Sequence, residues 1–443
     1  MNLEDILGTY IITAAERGCL PDHKQLDAFE TYAAQHNAEI LVVPIDGQNS
    51  GDLPFHDRFN NYRMISSEHE LGRNISISQF PIKAQQINPL TGLRRFAQRS
   101  NSIIVGSPKL NMQLAATSPS KLPKMLISTG ACTIPNYKNN RIGAIGEQDH
   151  RQGGVILNTD NDKFHIRHVQ CISDGSFTDL GIRYYPTCEY QFVGADTMVW
   201  GDLHNEVLDE QAYQATVRLT KEVKPKIIVL HDIFDGQSIT HHDIDRNVTR
   251  ARKAMAGGLD LSTELSHLGS RLEEISGLAE KVYVVKSNHD EVLDKYLESG
   301  RFGQDAHNLD LGAQIHTQFI KGKDALKVGL ELVHGKLPKN IVFLQRDSEL
   351  RRRGYELGFH GDKGVSGGRG SLLGLEYSLG SAIVGHTHSP ARLRDLLVAG
   401  TLSRLDLDYN KGSPGAWLHS NVLVNKDGTA QHANIIDGTY KRS

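Results

Sequence analysis

Cysteine is scarce in this chain of 443 residues. Its four cysteines, Cys19, Cys132, Cys171 and Cys188, are scattered and form no C-x-x-C pair. This argues against a disulfide framework or a zinc knuckle and fits a reducing cytosol. No apolar run approaches the roughly 20 residues of a membrane helix, and the amino terminus lacks the basic and apolar segments of a signal peptide. We therefore expect a cytoplasmic protein without a membrane partner.

Acidic residues are missing from one long segment. The formal net charge of −3 identifies no partner, but between Leu71 and Gly146 there is no Asp or Glu, while ten residues are Lys or Arg. Such a block focuses positive potential and suits a polyanion such as DNA. No base-reading motif is visible, so we expect contacts with the phosphate backbone. The alternative is a solvated face, or a face that docks on an acidic domain. The candidate nucleic-acid-binding residues are Arg94, Arg95, Arg99, Lys121, Lys124, Lys138 and Arg141.

Four short apolar runs each end in side chains that can bind a metal. The first, Met198–Trp200, leads into Asp202 and His204. Ligands in α/β sheets lie outside the carboxyl ends of the strands, so one site that gathers all four ends is the economical interpretation. The other three runs and their polar ends are 226–230 with Asp232 and Asp235, 282–285 with Asn288, His289 and Asp290, and 382–384 with His386 and His388.

The length predicts two or three domains. We place an amino-terminal α/β domain at 1–195, which opens with a β-α-β unit whose helix spans 23–36. A second domain is expected at 196–443, with a helical insertion at about 240–278. Further strands are expected at 9–13, 40–43, 102–105, 125–128, 154–157 and 164–171, and helices at 209–223 and 291–297.

Two patterns in the second part carry predictions of their own. Leu261, Leu265, Leu268, Leu272 and Ile275 step by four and three residues, which indicates a helix with a narrow apolar seam. It packs on the sheet or, alternatively, forms a homodimer through 259–276. The segments 326–333 and 355–359 alternate like strands, and each leads into a His-Gly pair, at His334 and His360.

The order of these motifs resembles the calcineurin-like metallophosphoesterase superfamily, in particular its branch of DNA-repair exonucleases. The match covers roughly 196–400 and implies a four-layer αββα sandwich after the amino-terminal α/β domain. His231 and Ser287 stand where the family usually has Gly, which affects turn geometry rather than ligands. The first half, with Gly130–Tyr137, is similar to phage-encoded early proteins linked to host-DNA degradation and DNA transfer. That likeness would place the chain in the host bacterial cytoplasm. The motifs are Asp-x-His at Asp202, Asp-x-x-Asp-Gly at Asp232, Asn-His-Asp at Asn288, His-Gly, and Gly-His-Thr-His at Gly385.

The resemblance also implies a metal centre with two divalent ions, and Asp232 would bridge them. The mixed donor set suits Mn²⁺, with Fe or Zn²⁺ as alternatives, better than Ca²⁺. The first ion would take Asp202, His204 and His388, and the second Asn288, His386 and a fourth-motif histidine. For that last ligand we prefer His360 to His334, because His360 lies closer to the Gly-His-Thr-His loop and opens a glycine-rich loop.

The resemblance also implies roles for three residues that do not bind the metals. His289 would protonate the leaving oxygen as a general acid, or else it is a structural loop histidine. Asp235 and Asp290 would orient imidazoles.

Three functions follow from these patterns. The first is a metal-dependent DNase. The second is a phosphatase or nucleotide phosphodiesterase that acts on a small molecule or a protein with the same site. The third is a non-enzymatic DNA-binding protein with a relict site, which would be expected to have lost at least one ligand.

Overall fold

A computed structural model describes residues 7–49, 53–118, 121–160, 163–240, 243, 246–407 and 410–441 of a mixed α/β protein. Its strands are β1 (Leu7–Glu16), β2 (Glu39–Ile45), β3 (Arg63–Met64), β4 (His69–Gly72), β5 (Ile75–Ile77), β6 (Ser102–Val105), β7 (Asn111–Ala115), β8 (Lys124–Ser128), β9 (Gly153–Asp160), β10 (Lys163–Gln170), β11 (Phe177–Asp179), β12 (Ile182–Tyr184), β13 (Tyr190–Phe192), β14 (Ala195–Val199), β15 (Ile227–Leu230), β16 (Lys281–Val284), β17 (Ile341–Phe343), β18 (Arg351–Arg352), β19 (Tyr355–Glu356), β20 (Ala382–Val384), β21 (Ala391–Leu393), β22 (Leu396–Val398), β23 (His419–Asn425) and β24 (Ala430–Ile435). Its α-helices are α1 (His23–His36), α2 (Arg94–Arg99), α3 (Arg141–Gln148), α4 (Glu210–Val223), α5 (Asn247–Met255), α6 (Leu261–Ser276), α7 (Glu291–Glu298), α8 (Leu309–Phe319), α9 (Ala325–Val333) and α10 (Leu372–Leu379). None of these helices is both long and apolar enough to cross a membrane.

The largest sheet contains strands from both halves of the chain. Its ten strands run in the order β18-β19-β20-β22-β21-β7-β8-β6-β5-β4. The halves meet where β21 pairs antiparallel with β7, with Arg392 opposite Met112 and Leu393 opposite Asn111. The parts on either side of residue 195 therefore share one continuous sheet.

In the carboxyl-terminal half the layers are helix, sheet, sheet and helix. A six-stranded sheet, β17-β16-β15-β14-β23-β24, packs one face on the ten-stranded sheet through buried side chains such as Val229 and Leu397. Its other face packs on α4, α6 and α9, where Leu219, Leu265 and Leu330 are buried. Helix α10 covers the outer face of the ten-stranded sheet. Side chains alternate between the two faces of each strand, so each sheet can take part in two apolar layers.

The amino-terminal half repeats this layering. A five-stranded sheet, β10-β9-β1-β2-β3, packs on the other end of the ten-stranded sheet. Helix α1 covers its outer face, and α2 covers the ten-stranded sheet. The predicted β-α-β unit is confirmed, because β1 and β2 pair in parallel and α1 spans the expected residues.

One predicted strand in the second half of the chain is a helix. The strand expected at 326–333 is wrong: this segment is α9, with Asp324 accepting a hydrogen bond from the Lys327 amide at its start. Its buried residues include Leu326 and Leu330, a spacing of four that suits one face of a helix.

The insertion is helical as predicted, with α5 and α6. The seam of α6 is fully buried in this chain's own core, so the seam itself is not open to a second copy.

Candidate metal centre

The motif loops follow the carboxyl ends of strands in the two packed sheets. Strands β14, β15 and β16 are parallel neighbours, and the first three motifs follow their carboxyl ends. Strand β20 belongs to the ten-stranded sheet, and the Gly-His-Thr-His loop follows it. Gly385 allows the approach, because a Cβ atom there would lie 2.1 Å from Asp202 Oδ1. The amide of His386 donates to Asp202 Oδ2 over 2.7 Å.

Four of the predicted ligands form one tight group. Asp202, His204, Asp232 and His388 are buried, and they offer donor atoms that all lie within 4.8 Å of one another. His204 Nε2 is 2.9 Å from His388 Nε2 and 3.5 Å from Asp232 Oδ2. His388 Nε2 is 3.4 Å from Asp202 Oδ2. This set is the one expected for the first metal, and it could hold a metal ion.

His360 and His386 adjoin this group. His360 Nε2 lies 3.1 Å from Asp232 Oδ2, and the ring centroids of His360 and His386 are 5.2 Å apart. His334 lies elsewhere: it caps α9 and packs against Gly269 of α6. Of the two fourth-motif candidates, the structure therefore brings His360 to the site.

Several donor atoms of the site are buried and make no hydrogen bond within the described residues. They include Asp202 Oδ1, Asp232 Oδ1, Asn288 Oδ1, and the Nδ1 atoms of His360 and His388. A buried polar atom without a partner costs free energy, and such a cluster calls for an explanation. Imidazole, carboxylate and amide donors together fit Mn²⁺, Fe or Zn²⁺. The residues present therefore suit a divalent cation.

The charges of the group depend on one another. Burial, reinforced by the nearby Asp232, raises the pKa of Asp202 to about 7. Burial would also raise the pKa of Asp232, but the imidazoles around it, above all His360, hold that pKa well below its usual range. Burial opposes protonation of His204, yet Asp235 and Asp232 raise its pKa to about 9. Protonated imidazoles thus balance the buried carboxylates.

Four site residues adopt the left-handed backbone conformation that non-glycine residues rarely use. The φ angles are 46° at His204, 44° at Asp232, 76° at His386 and 57° at His388. The His204 amide donates to the Asp232 carbonyl over 2.7 Å, which ties the first two loops together. Such strain persists only where the surroundings fix the backbone, and it clusters at functional sites.

The neighbours of the ligands differ in role. Asp235 Oδ1 lies 2.8 Å from Nδ1 of His204, the imidazole that it is predicted to orient. For Asp290 the structure shows a different role: its carboxylate accepts from the Phe234 amide and from the amide and hydroxyl of Ser287. It fixes the second and third loops to each other through their backbone. Ser287, a departure from the family pattern, thus takes part in the turn.

His289 lies at the edge of an open cavity of about 500 Å³, which His204, Asp235, Gln237 and Arg404 also line. The His289 side chain is 36 % exposed, and its Nδ1 is 3.9 Å from Asp235 Oδ1. Burial lowers the pKa of His289. Sequence reasoning missed Gln237 and Arg404, because neither belongs to a motif. The backbone amide of Arg404 donates to the Val207 carbonyl over 2.8 Å, which holds this residue beside the cavity.

The predicted nucleic-acid-binding residues lie on separate elements. Arg94, Arg95 and Arg99 are exposed on α2, and Arg141 begins α3 next to the exposed Lys138. Lys121 and Lys124 line a cavity of about 730 Å³ with Arg73 and Lys163. Lys109 of the same block is buried and donates to the Ala84 and Gly146 carbonyls. The seven predicted residues are not among those that line the cavity beside His289.

The chain is similar along most of its length to a phage protein. Protein A1 of Escherichia phage T5 is 26 % identical over 460 residues, which cover 97 % of this chain and 82 % of that protein. No protein-family model matches the chain. The similarity spans both halves and agrees with the expected likeness to a phage-encoded protein.

Proposed function

We propose that this chain is a metal-dependent phosphodiesterase of the calcineurin-like type and that its substrate is DNA. The observation that supports it most is the convergence of four predicted ligands on one buried group, together with buried donor atoms at the site that make no hydrogen bond in the described part of the chain. The helix–sheet–sheet–helix layering of the carboxyl-terminal half fits the sandwich implied by the motifs. A relict site would be expected to have lost a ligand, and every predicted ligand is present.

In this proposal the centre holds two divalent cations, with Mn²⁺ as the expected metal and Fe or Zn²⁺ as alternatives. One would take Asp202, His204 and His388, the other Asn288, His360 and His386, and Asp232 would be shared. Such a pair supplies Lewis acidity and an activated water to phosphodiester hydrolysis.

The protein's own residues would carry the remaining work. Nδ1 of His289 is buried, so the accessible edge of the ring faces the cavity and would donate a proton to the leaving oxygen. Asp235 holds the ring of His204 in its orientation. Arg404, an exposed cation in the cavity wall, would bind phosphate oxygens that do not react.

The substrate is tested with purified protein and Mn²⁺ on linear duplex DNA, closed circular DNA and a chromogenic phosphodiester. The controls are EDTA, Asp202→Asn and His289→Asn. We expect DNA degradation that the chelator and both substitutions abolish, and the two DNA forms distinguish exonuclease from endonuclease action. Cleavage of the small ester alone would instead indicate the phosphatase or nucleotide phosphodiesterase alternative.

A further inference from the structure

Helix α5, Asn247–Met255, contributes nothing to the core of the protein. None of its residues is buried, and the side chains of Val248 and Met255 are 66 % and 90 % exposed. Most helices are stabilised by packing an apolar face on the rest of the protein. Packing against the core therefore does not explain why the chain forms a helix at α5.

The helix is basic and carries no acidic residue. Arg246, Arg250 and Arg252 are exposed, and none of them makes an ion pair with an acidic residue in the described part of the chain. Lys253 is the exception: its Nζ lies 2.6 Å from Asp243 and donates to the carbonyl and side-chain oxygens of Gln237. One lysine thus anchors the helix, while three arginines remain directed to solvent or to a cavity.

Gln237 connects this helix to the candidate metal centre. It lines the cavity of about 500 Å³ beside His204 and His289. It also lines a neighbouring cavity of about 170 Å³, which includes Arg250, Lys253 and Arg301. Two acidic residues, Asp243 and Asp305, also line that cavity. Asp243 pairs with Lys253, and Asp305 accepts hydrogen bonds from the Tyr296 hydroxyl and the Asn308 side-chain amide. A basic surface therefore begins where the substrate cavity ends.

We propose that α5 binds the phosphate backbone of the DNA strand that continues from the metal centre. This inference rests on the proposed function, since it takes the substrate to be a DNA longer than the cavity. The guanidinium group suits phosphate through paired N–H donors. A polyanion matches three exposed arginines that make no ion pair with an acidic residue in the described part of the chain. The DNA path thus runs along the insertion after the second motif.

The test compares Arg246→Gln/Arg250→Gln/Arg252→Gln with a matched control, Lys321→Gln/Lys323→Gln/Lys327→Gln. The control removes the same charge from three exposed lysines, two in the connection between α8 and α9 and one in α9. Binding of a fluorescent duplex is measured by anisotropy in EDTA over a range of salt concentrations. Each lost phosphate contact reduces the slope of log affinity against log salt by about 0.9. We expect a reduction of about 2–3 in the α5 variant and none in the control.

Two further observations keep the test decisive. Because α5 buries no residue, the α5 variant should unfold at the wild-type temperature, and an Arg→Lys triple variant should keep the wild-type salt slope. An α5 variant with the wild-type slope, or an equal loss in both Gln variants, overturns the inference. Binding in EDTA is read separately from cleavage. DNA that is bound through α5 but never cleaved contradicts the proposed function alone, and DNA that is cleaved without any effect of α5 contradicts this inference alone.

Discussion

His204 and His388, 184 residues apart in the chain, point their Nε2 atoms at each other over 2.9 Å. The two residues follow strands of different sheets, and both rings are buried. Two ring nitrogens at this distance need a proton between them or a cation in place of it. The pKa of His204 is raised to about 9 and that of His388 is lowered well below its usual value by burial. In the metal-free protein, His204 therefore donates the proton.

We predict that Mn²⁺ binding releases protons, because a metal ligand must give up its proton first. Affinity should rise with pH as His204 approaches its raised pKa. Titration calorimetry in two buffers with different ionisation enthalpies measures the release directly. Equal observed enthalpies in the two buffers at pH 7 would argue against a proton held in the metal position.

Asp202→Asn should have opposite effects on stability without and with metal. The raised pKa of Asp202 means that the charged carboxylate disfavours the fold, so this group's contribution to stability is lost as pH rises through about 7. At pH 8 the metal-free variant should unfold at or above the wild-type temperature. With Mn²⁺ at 100 times its Kd the wild type gains about 2.7 kcal/mol, and the variant should gain less. Differential scanning fluorimetry with and without EDTA would show the crossing, and parallel shifts would speak against it.

Asp235 and Asp290 provide a matched pair of buried carboxylates near the centre. Asp235 contacts the ring of His204, so Asp235→Asn should weaken Mn²⁺ binding about 10–100-fold, as expected for a residue that orients a ligand. Asp290 instead holds backbone and serine donors, so Asp290→Asn should lower the free energy of unfolding by about 1–3 kcal/mol. Mn²⁺ titrations and urea unfolding distinguish the two. Identical profiles for both variants would refute the assigned roles.

Glu264 predicts a pH dependence outside the metal centre. Burial raises its pKa to about 7, although it accepts hydrogen bonds from the Gln237 amide and from Ser238. Its contribution to stability is present below about pH 4.5 and is lost as pH rises through 7. Urea unfolding of Glu264→Gln should therefore show a weaker decline between pH 5 and pH 8 than the wild type, by on the order of 2 kcal/mol. An unchanged difference across that range would contradict the shift.

The local elements of the fold were predictable where a pattern had one meaning. Helix α1 begins and ends as expected, and Ser102–Val105 is the predicted strand. The segment that forms α9 was misread because a short apolar run fits a buried strand and a buried helix equally well. Likewise, the pairing of β21 with β7 depends on backbone hydrogen bonds between distant segments, which leave no periodic signal in either strand.

The candidate ligands of the site were predictable because metal-capable residues directly follow β-strands. The side chains that surround these residues were harder to predict. Arg404 reaches the cavity through a loop whose path depends on contacts of Thr401 with Asp202 and of Arg404 with Val207. Helix α5 was missed as a basic surface, because its arginines are close to one another but fewer than those of the acid-free block. What distinguishes them is their position beside Gln237, which only the folded chain reveals.

A count of bound metal ions tests directly whether these side chains form a centre for two divalent metals. Equilibrium dialysis against Mn²⁺ followed by elemental analysis gives the number of ions per chain. We expect two for the wild type and fewer than one for Asp232→Asn, because this carboxylate lies within reach of both groups of ligands. A wild-type chain that retains fewer than two Mn²⁺ ions, or an Asp232→Asn chain that retains as many as the wild type, would contradict a two-metal centre.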